Sequence, residues 1–256
     1  MPDAPRLPKP RGDRILRYVH LSTGNYNAST SRLYTDVGLL SCAAGIGDDV
    51  SELFNALSGF ARPRYSELAV APEELAPRLL SLIREQADRA RAGKPARVFG
   101  KMNGLVDVEI IEALYVASQA GAQIDLEVRG ICCLKPGVKG LSERIRVFSV
   151  VGRFLEHSRV FVFGPEGEEE VFLSSADWMP RNLHRRVELM FPVKHPELRQ
   201  RLRREVVEPA LSDNYRAREL DASGIYRRRT PAPGEPERDA QHTVLAAIQR
   251  RSFHAT

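Results

Sequence analysis

The 256-residue chain lacks most of the features that reveal a protein's chemistry at a glance. It has three cysteines, Cys42, Cys132 and Cys133, which form neither a disulfide framework nor metal-ligand spacing. The adjacent pair in "RGICCLKPG" reads as small, half-buried thiols. No apolar run approaches the roughly 20 residues needed to span a bilayer. The opening "MPDAPRLPKPRGD" has no apolar core of a secretory signal. A reducing cytoplasm is therefore expected, with membrane-peripheral placement left open. No GxxxxGK[ST] occurs, which disfavours an ordinary P-loop kinase. Lysine is scarce too: of 38 basic residues only Lys9, Lys94, Lys101, Lys135, Lys139 and Lys194 are lysine.

What is present instead is arginine, whose planar fork suits bidentate recognition of phosphate. A GC-rich genome raises arginine with no functional cause, so a net charge of +5 permits a polyanionic partner without establishing one. Hydrophobic content of 43% and charged content of 28% are those of an ordinary globular chain.

Residues 1–13, rich in proline and charge, read as a flexible lead-in. "RILRYVHL" (14–21) has β-character. "DDVSELFNALSGF" (48–60) reads as a helix with Asp48 or Asp49 near its N-cap. Leu75, Leu79, Leu80, Ile83 and Ala87 recur at helical spacing, predicting an amphipathic helix over 73–92 that stops near Gly93. "ARVFGKM" reads as a strand and 107–120 as a helix begun by Asp107, with Val108, Ile111, Leu114 and Tyr115 on its buried face. Strands follow at 123–130, 144–151, 158–163 and 170–175, then a basic amphipathic helix over 194–211. An arginine- and proline-rich tail from 214 holds a helical candidate at 240–250. Strands interleaved with helices predict an α/β fold.

The chain also repeats itself. "VHLSTGNYN" (19–27) lies over "VFLSSADWM" (171–179) without a gap, an offset of 152 residues, and "YTDVGLL" lies over "RVELMFP" in the same register. Two such copies are expected to build one pseudo-symmetric site. The second carries His157 at a strand entrance. The place equivalent to His157 in the first is Pro5, and no histidine occurs in residues 1–19.

"YVHLSTGNYNASTSRLYTD", "KMNGLVD", "RGICCLKPG", "VVGRFLEHSRVFVF", "SSADWMPRN" and "SGIYRRRTPAPGE" together resemble the C-terminal half of bacterial polyphosphate kinases of the first type, from about residue 14 to about 250. The resemblance implies an N-terminally truncated chain with a phospholipase-D-like α/β fold, a mixed sheet flanked by helices. Residues 14–62 are then a remnant of the first such domain, 63–213 a near-complete second, and 214–256 a C-terminal tail. It implies reversible transfer of the γ-phosphoryl group of ATP to polyphosphate through a phosphohistidine, with Mg2+. Both the phosphohistidine motif and the magnesium-associated arginines belong to parts this sequence does not contain, so the chain alone is expected to be inactive or incomplete. ATP/ADP and inorganic polyphosphate are the implied partners. A homo-oligomer is expected, with no nucleic acid partner.

Three positions match the family's ATP contacts: Tyr34, Arg129 and His157. An imidazole, with an ordinary pKa of about 6.5, gives or takes a proton near neutral pH. By resemblance His157 is the catalytic acid or base facing the transferred phosphoryl group, its ring oriented by Glu156 or another carboxylate. Arg129 ends a strand, with Gly130 allowing a close turn, and suits a phosphate oxygen. His20, Ser174, Ser175 and Asn182 are further candidates near the site. Arg153, Arg159, Arg181, Arg185 and Arg186 are candidates for lining a polyanion channel. Two readings compete with the kinase segment: a non-catalytic module that binds ATP or polyphosphate or partners a full-length kinase, and a phosphodiesterase whose site is completed by dimerisation.

Overall fold

The structure, a computed structural model, describes residues 15–59 and 63–254; the expected lead-in 1–13 lies outside them. In chain order the elements are β1 (Val19–Ser22), β2 (Tyr34–Thr35), β3 (Gly38–Ser41), α1 (Ala44–Leu57), β4 (Ala69–Val70), α2 (Leu75–Arg91), β5 (Arg97–Met102) and α3 (Val108–Ala120). Next come β6 (Gln123–Val128), β7 (Ile145–Ser149), β8 (Leu155–Glu156), β9 (Arg159–Phe163), β10 (Glu170–Ser174), α4 (Pro180–His184) and β11 (Leu189–Pro192). The last are α5 (Pro196–Leu202), a π turn (Arg203–Val207), α6 (Glu208–Ser212), β12 (Arg218–Leu220), β13 (Tyr226–Arg228) and α7 (Ala240–His254).

The described residues fall into two compact units. One takes the residues up to Leu21 together with Gly38–Leu68. The other takes Ser22–Val37 and everything from Ala69 onward, so the segment carrying Tyr34 groups with the second unit.

In the first unit β1 neighbours β3 and α1 follows. The helix starts at Ala44, a turn earlier than Asp48 or Asp49 suggests. Asp49 does not cap it. Its buried carboxylate accepts the backbone N–H groups of Ser66, Glu67 and Leu68.

The second unit is built on a mixed nine-stranded sheet, ordered β13-β12-β7-β6-β5-β9-β10-β11-β4. Only the central β5-β6-β7 pairs run parallel. α3 is the crossover between β5 and β6. Asp107 caps it by accepting the Ile110 N–H at 3.2 Å. Val108 does not join its buried face: it is 64% exposed, while Ile110, Ile111 and Leu114 point inward. On α2, Leu82 is fully buried with Leu79 and Ile83, and Leu80 is only partly so. Burial of such side chains stabilises by about 1.5–3 kcal/mol each.

Strand alternation divides the sheet's two faces. Val98, Ile124, Leu126, Val147, Phe161 and Phe163 join α2 and α3 in the main core. Phe99, Phe148 and Val162 point the other way, toward Val207 and Ala210 and toward Ala240 of α7. On that second face β6 carries Asp125 and Glu127, and the register sets Glu127 beside Lys101 of β5.

The helix expected over 194–211 is α5, the π turn and α6 in succession. Pro209 lacks a helical donor and crowds the carbonyl four residues back, at Glu205 inside the π turn. Residues from 214 on continue the sheet, with β12 pairing antiparallel to β7 and to β13. No helix among the described residues is long and apolar enough to cross a membrane.

Candidate functional site

His157 is placed by a two-residue pairing. β8 runs parallel to β2, matching Leu155 with Tyr34 and Glu156 with Thr35. The His157 N–H then donates to Thr35 O at 2.9 Å. This register stacks the Tyr34 ring on the imidazole, centroids 4.7 Å apart and planes 20° apart. It also brings Asp36 Oδ1 to 3.1 Å from His157 Nδ1. Thr23 Oγ1 donates to the same oxygen at 3.0 Å. Both partners are mostly sequestered, at 13% and 18% side-chain exposure. Burial by itself would raise the Asp36 carboxyl, but bonds to His157 and Thr23 and the Arg159 charge hold it below its ordinary value. A proton on Nδ1 aimed at Asp36 leaves Nε2 as the acceptor.

Asp36, not Glu156, therefore orients the ring. Glu156 precedes His157 on an extended backbone, so its side chain leaves from the opposite side. It meets Lys101 Nζ at 2.7 Å and Gln241 Nε2 at 2.9 Å. Lys101 also bonds Glu127, its neighbour across β5 and β6. Burial would lower the Lys101 ammonium, but Glu127 and Glu156 raise it above its ordinary value. Burial pushes the Glu127 carboxyl up. For Glu156 the effect of burial is outweighed, first by Lys101 and then by Gln241, and its carboxyl is held down.

A hydrogen-bonded string links His157 to Arg129. Arg159, 5% exposed, sends Nη1 to the carbonyls of His157 (2.8 Å) and Thr23 (3.0 Å), and this nitrogen lies 3.1 Å from each ring nitrogen. The other edge of its guanidinium forks onto Asp177, Nε to Oδ1 at 3.2 Å and Nη2 to Oδ2 at 2.8 Å. Asp177 Oδ1 also accepts the Asn103 backbone N–H (2.7 Å) and Nδ2 (3.2 Å). Asn103 Oδ1 in turn takes Arg129 Nε at 2.9 Å and Nη2 at 2.7 Å. The Arg129 edge is thereby fixed and its Nη1 stays clear of Asn103. Gly130 is required beside it, because a Cβ there would lie 2.7 Å from Asn103 O. Burial would raise the Asp177 carboxyl, but Arg159 and Asn103 hold it low. Arg159 is thus committed to this string and is not a channel-lining residue. Arg181, Arg185 and Arg186 are exposed, and the exposed Arg153 lies over the Phe154 ring.

The internal repeat is present bond for bond. Thr23 N–H donates to Val37 O at 3.0 Å, and Ser175 N–H, 152 residues on, donates to Leu189 O at 2.9 Å. Val37 N–H donates to Thr23 Oγ1 at 3.1 Å, and Leu189 N–H to Ser175 Oγ at 3.0 Å. Gly24 N–H finds Ser22 Oγ, and Ala176 N–H finds Ser174 Oγ. Thr23 bonds Asp36, and Ser175 bonds Glu188. Glu188 is thus the counterpart of Asp36, steadied further by Asn182 Nδ2 at 2.7 Å. The repeat position of His157, Pro5, lies outside the described residues.

Tyr34, His157 and Arg129 are thus joined through Asp36, Arg159, Asp177 and Asn103, of which the sequence offered only Arg159 as a functional candidate, and that for lining a channel. The repeat carried the missing signal, since it aligns Asp36 with Glu188. Ser175 and Asn182 bond Glu188, while Ser174 Oγ donates to Leu189 O at 2.8 Å. His20 lies on the exposed side of β1 in the first unit, facing Gly38 of β3. Cys132 is part-buried, with burial pushing its thiol up to about 11, and Cys133 is exposed, not half-buried.

Comparison with known proteins establishes the family. The model of polyphosphate kinase C-terminal domain 2 matches residues 68–241, and that of C-terminal domain 1 matches 7–63. The polyphosphate kinase of Thermosynechococcus vestitus is 54% identical over 235 residues, which is 91% of this chain and 32% of that protein. That of Neisseria meningitidis is 50% identical over 240 residues, 93% and 35% of the two chains. The crystal structure of polyphosphate kinase from Porphyromonas gingivalis superposes with a TM-score of 0.87 at 39% identity, covering 96% of this chain and 38% of that one. The chain thus spans about a third of the length of the curated relatives it matches. It belongs to the polyphosphate kinase family, whose two C-terminal domain models it matches in order.

Proposed function

We propose that this chain supplies one half of the phosphoryl-transfer centre of a polyphosphate kinase, an ATP:polyphosphate phosphotransferase acting in the cytoplasm. Its reaction is the reversible passage of the γ-phosphoryl group of ATP to inorganic polyphosphate. The observation that carries this reading is the sequestered Asp36–His157 pair, stacked by Tyr34 and tied through Arg159, Asp177 and Asn103 to Arg129. Asp36 holds the Nδ1 proton, so His157 Nε2 takes or returns a proton at the oxygen exchanged between phosphates. The fixed Arg129 guanidinium offers charge to a phosphoryl oxygen, where positioning and electrostatics carry most of the catalysis. Glu188, built as the repeat counterpart of Asp36, is placed to orient the ring of a second histidine, the group that is phosphorylated in the family. The chain alone therefore binds substrates without turning them over.

Among the described residues no three His, Cys, Asp or Glu side chains are grouped so as to hold a metal ion. Magnesium, implied by the resemblance, is ordinarily held by one or two carboxylates together with substrate phosphates, and no step here is routed through it.

Calorimetric titration with ATP and with tripolyphosphate tests the reading. Both should bind, and His157→Ala and Arg129→Ala should each weaken ATP by about tenfold, as expected for losing one charged hydrogen bond. γ-Labelled ATP should leave no acid-labile label on the chain. Label on His157 or His20, or no binding of either compound, would overturn the proposal. The competing reading is a binding module without catalysis. An active mixture with the remaining kinase segment would exclude it.

A further inference from the structure

Gln241, near the start of α7, reaches back to the segment that leads into His157. Its Oε1 accepts the Phe154 N–H at 3.0 Å, and its Nε2 donates to Phe154 O at 2.9 Å and to Glu156 Oε1 at 2.9 Å. One side-chain amide thus serves both backbone groups of Phe154, as a neighbouring strand would. Gln241 is 6% exposed, and the approach is close: a Cβ on Gly152 would stand 2.4 Å from its Oε1.

α7 is itself fixed at this end. Asp239 Oδ1 accepts the His242 N–H at 3.1 Å, and its Oδ2 takes Arg216 Nε at 2.6 Å. Asp213 Oδ2 accepts the Ala240 N–H at 2.8 Å. The segment Gln241 grips is the one that pairs with β2, and β8 contributes only two residues to that pairing. So short a pairing does not hold its own register against the loop before it.

We infer that Gln241 is a positioning residue for His157: it fixes residues 152–156, and through them the register of β8 on β2 on which the Asp36–His157–Tyr34 contact depends. Gln241 does not touch the ring and acts only through Phe154 and Glu156. The inference rests on the reading of His157 as the phosphoryl-facing group.

Two variants approach the contact from opposite sides. Gln241→Ala removes the amide. Gly152→Ala keeps it and sets a methyl against it from the loop. The 15N signals of the His157 ring, identified by their loss in His157→Ala, are followed alongside ATP and tripolyphosphate binding. Both variants should keep the parent's amide spectrum over β5, β6 and β9. Both should move the ring signals in the direction produced by Asp36→Asn, and weaken ATP by about tenfold. Ring signals unmoved in both variants overturn the inference, as does a Gln241→Ala chain that loses the whole sheet spectrum while Gly152→Ala leaves the ring unmoved. A parent that binds neither compound defeats the phosphoryl-transfer reading alone, since the ring signals still decide the positioning.

Discussion

Removing the Asp177 carboxylate should destabilise the second unit more than any surface substitution. In Asp177→Ala, Arg159 keeps its charge at 5% exposure and loses both arms of its fork, and two Asn103 donors lose their acceptor. Leaving one member of a buried pair behind costs about 3–5 kcal/mol. With an m-value of roughly 3 kcal/mol/M for a unit this large, the urea midpoint should fall by about 1–1.7 M. Trp178, the chain's single tryptophan, is fully buried against Phe161 at 4.9 Å and reports this transition by its emission. Far-UV circular dichroism gives a second reading of the same midpoint. Removing both charges, as Arg159→Met with Asp177→Leu, should recover part of the loss, because no unpaired ion then remains. Recovery should stay incomplete, since the Asn103 donors are still unmet. A midpoint within about 0.3 M of the parent, the size of an exposed ion pair, would show that the fork is not buried as described.

Acid should act through the same carboxylates. Asp36 and Asp177 are both held below their ordinary values, so the native state binds fewer protons than the unfolded one, and stability rises with pH through that window. Their contribution is complete above the ordinary carboxylate pKa of about 4 and drains away as pH falls through the lower native values. Urea midpoints measured from pH 5 to pH 2 should therefore fall less steeply in Asp177→Asn than in the parent. Lys101→Met should leave Glu127 and Glu156 facing one another without a cation and cost about 3–5 kcal/mol, read as a lowered urea midpoint. Asp107→Ala should cost about 1–2 kcal/mol through loss of the α3 cap, and free His184, whose Nε2 lies 2.9 Å from Asp107 Oδ2. A shift in the His184 ring signals checks the second part.

Much of the sheet was legible because its signals are local. "QIDLEV" alternates, and both faces are used as alternation requires, apolar toward α2 and α3 and acidic toward Lys101. Asp107 announced α3 because a cap acts within one turn. Asp49 misled for the opposite reason: its acceptor atoms are spent on amides 17 to 19 residues away, which no helix rule encodes. The site was half legible. The resemblance pointed to His157, Tyr34 and Arg129, which the structure brings together, but Asp36 meets His157 across 121 residues through strands of two residues each. Such short pairings leave no periodicity to read. Of the carboxylates that could orient the ring, Glu156 is adjacent in sequence but alternation turns it away, and Asp36 is the other carboxylate that orients it.

The grip of Gln241 on Phe154 also sets an order of assembly. Chain synthesis proceeds at about 5–20 residues per second, so roughly 4–17 s separate the emergence of His157 from that of Gln241. During that interval the central strands β5, β6, β7 and β9 are already available to pair, while the segment before His157 has no partner for its Phe154 amide and carbonyl. The histidine is made early and set late. A nascent chain can therefore pair these strands before Gln241 is available to grip the segment ahead of His157.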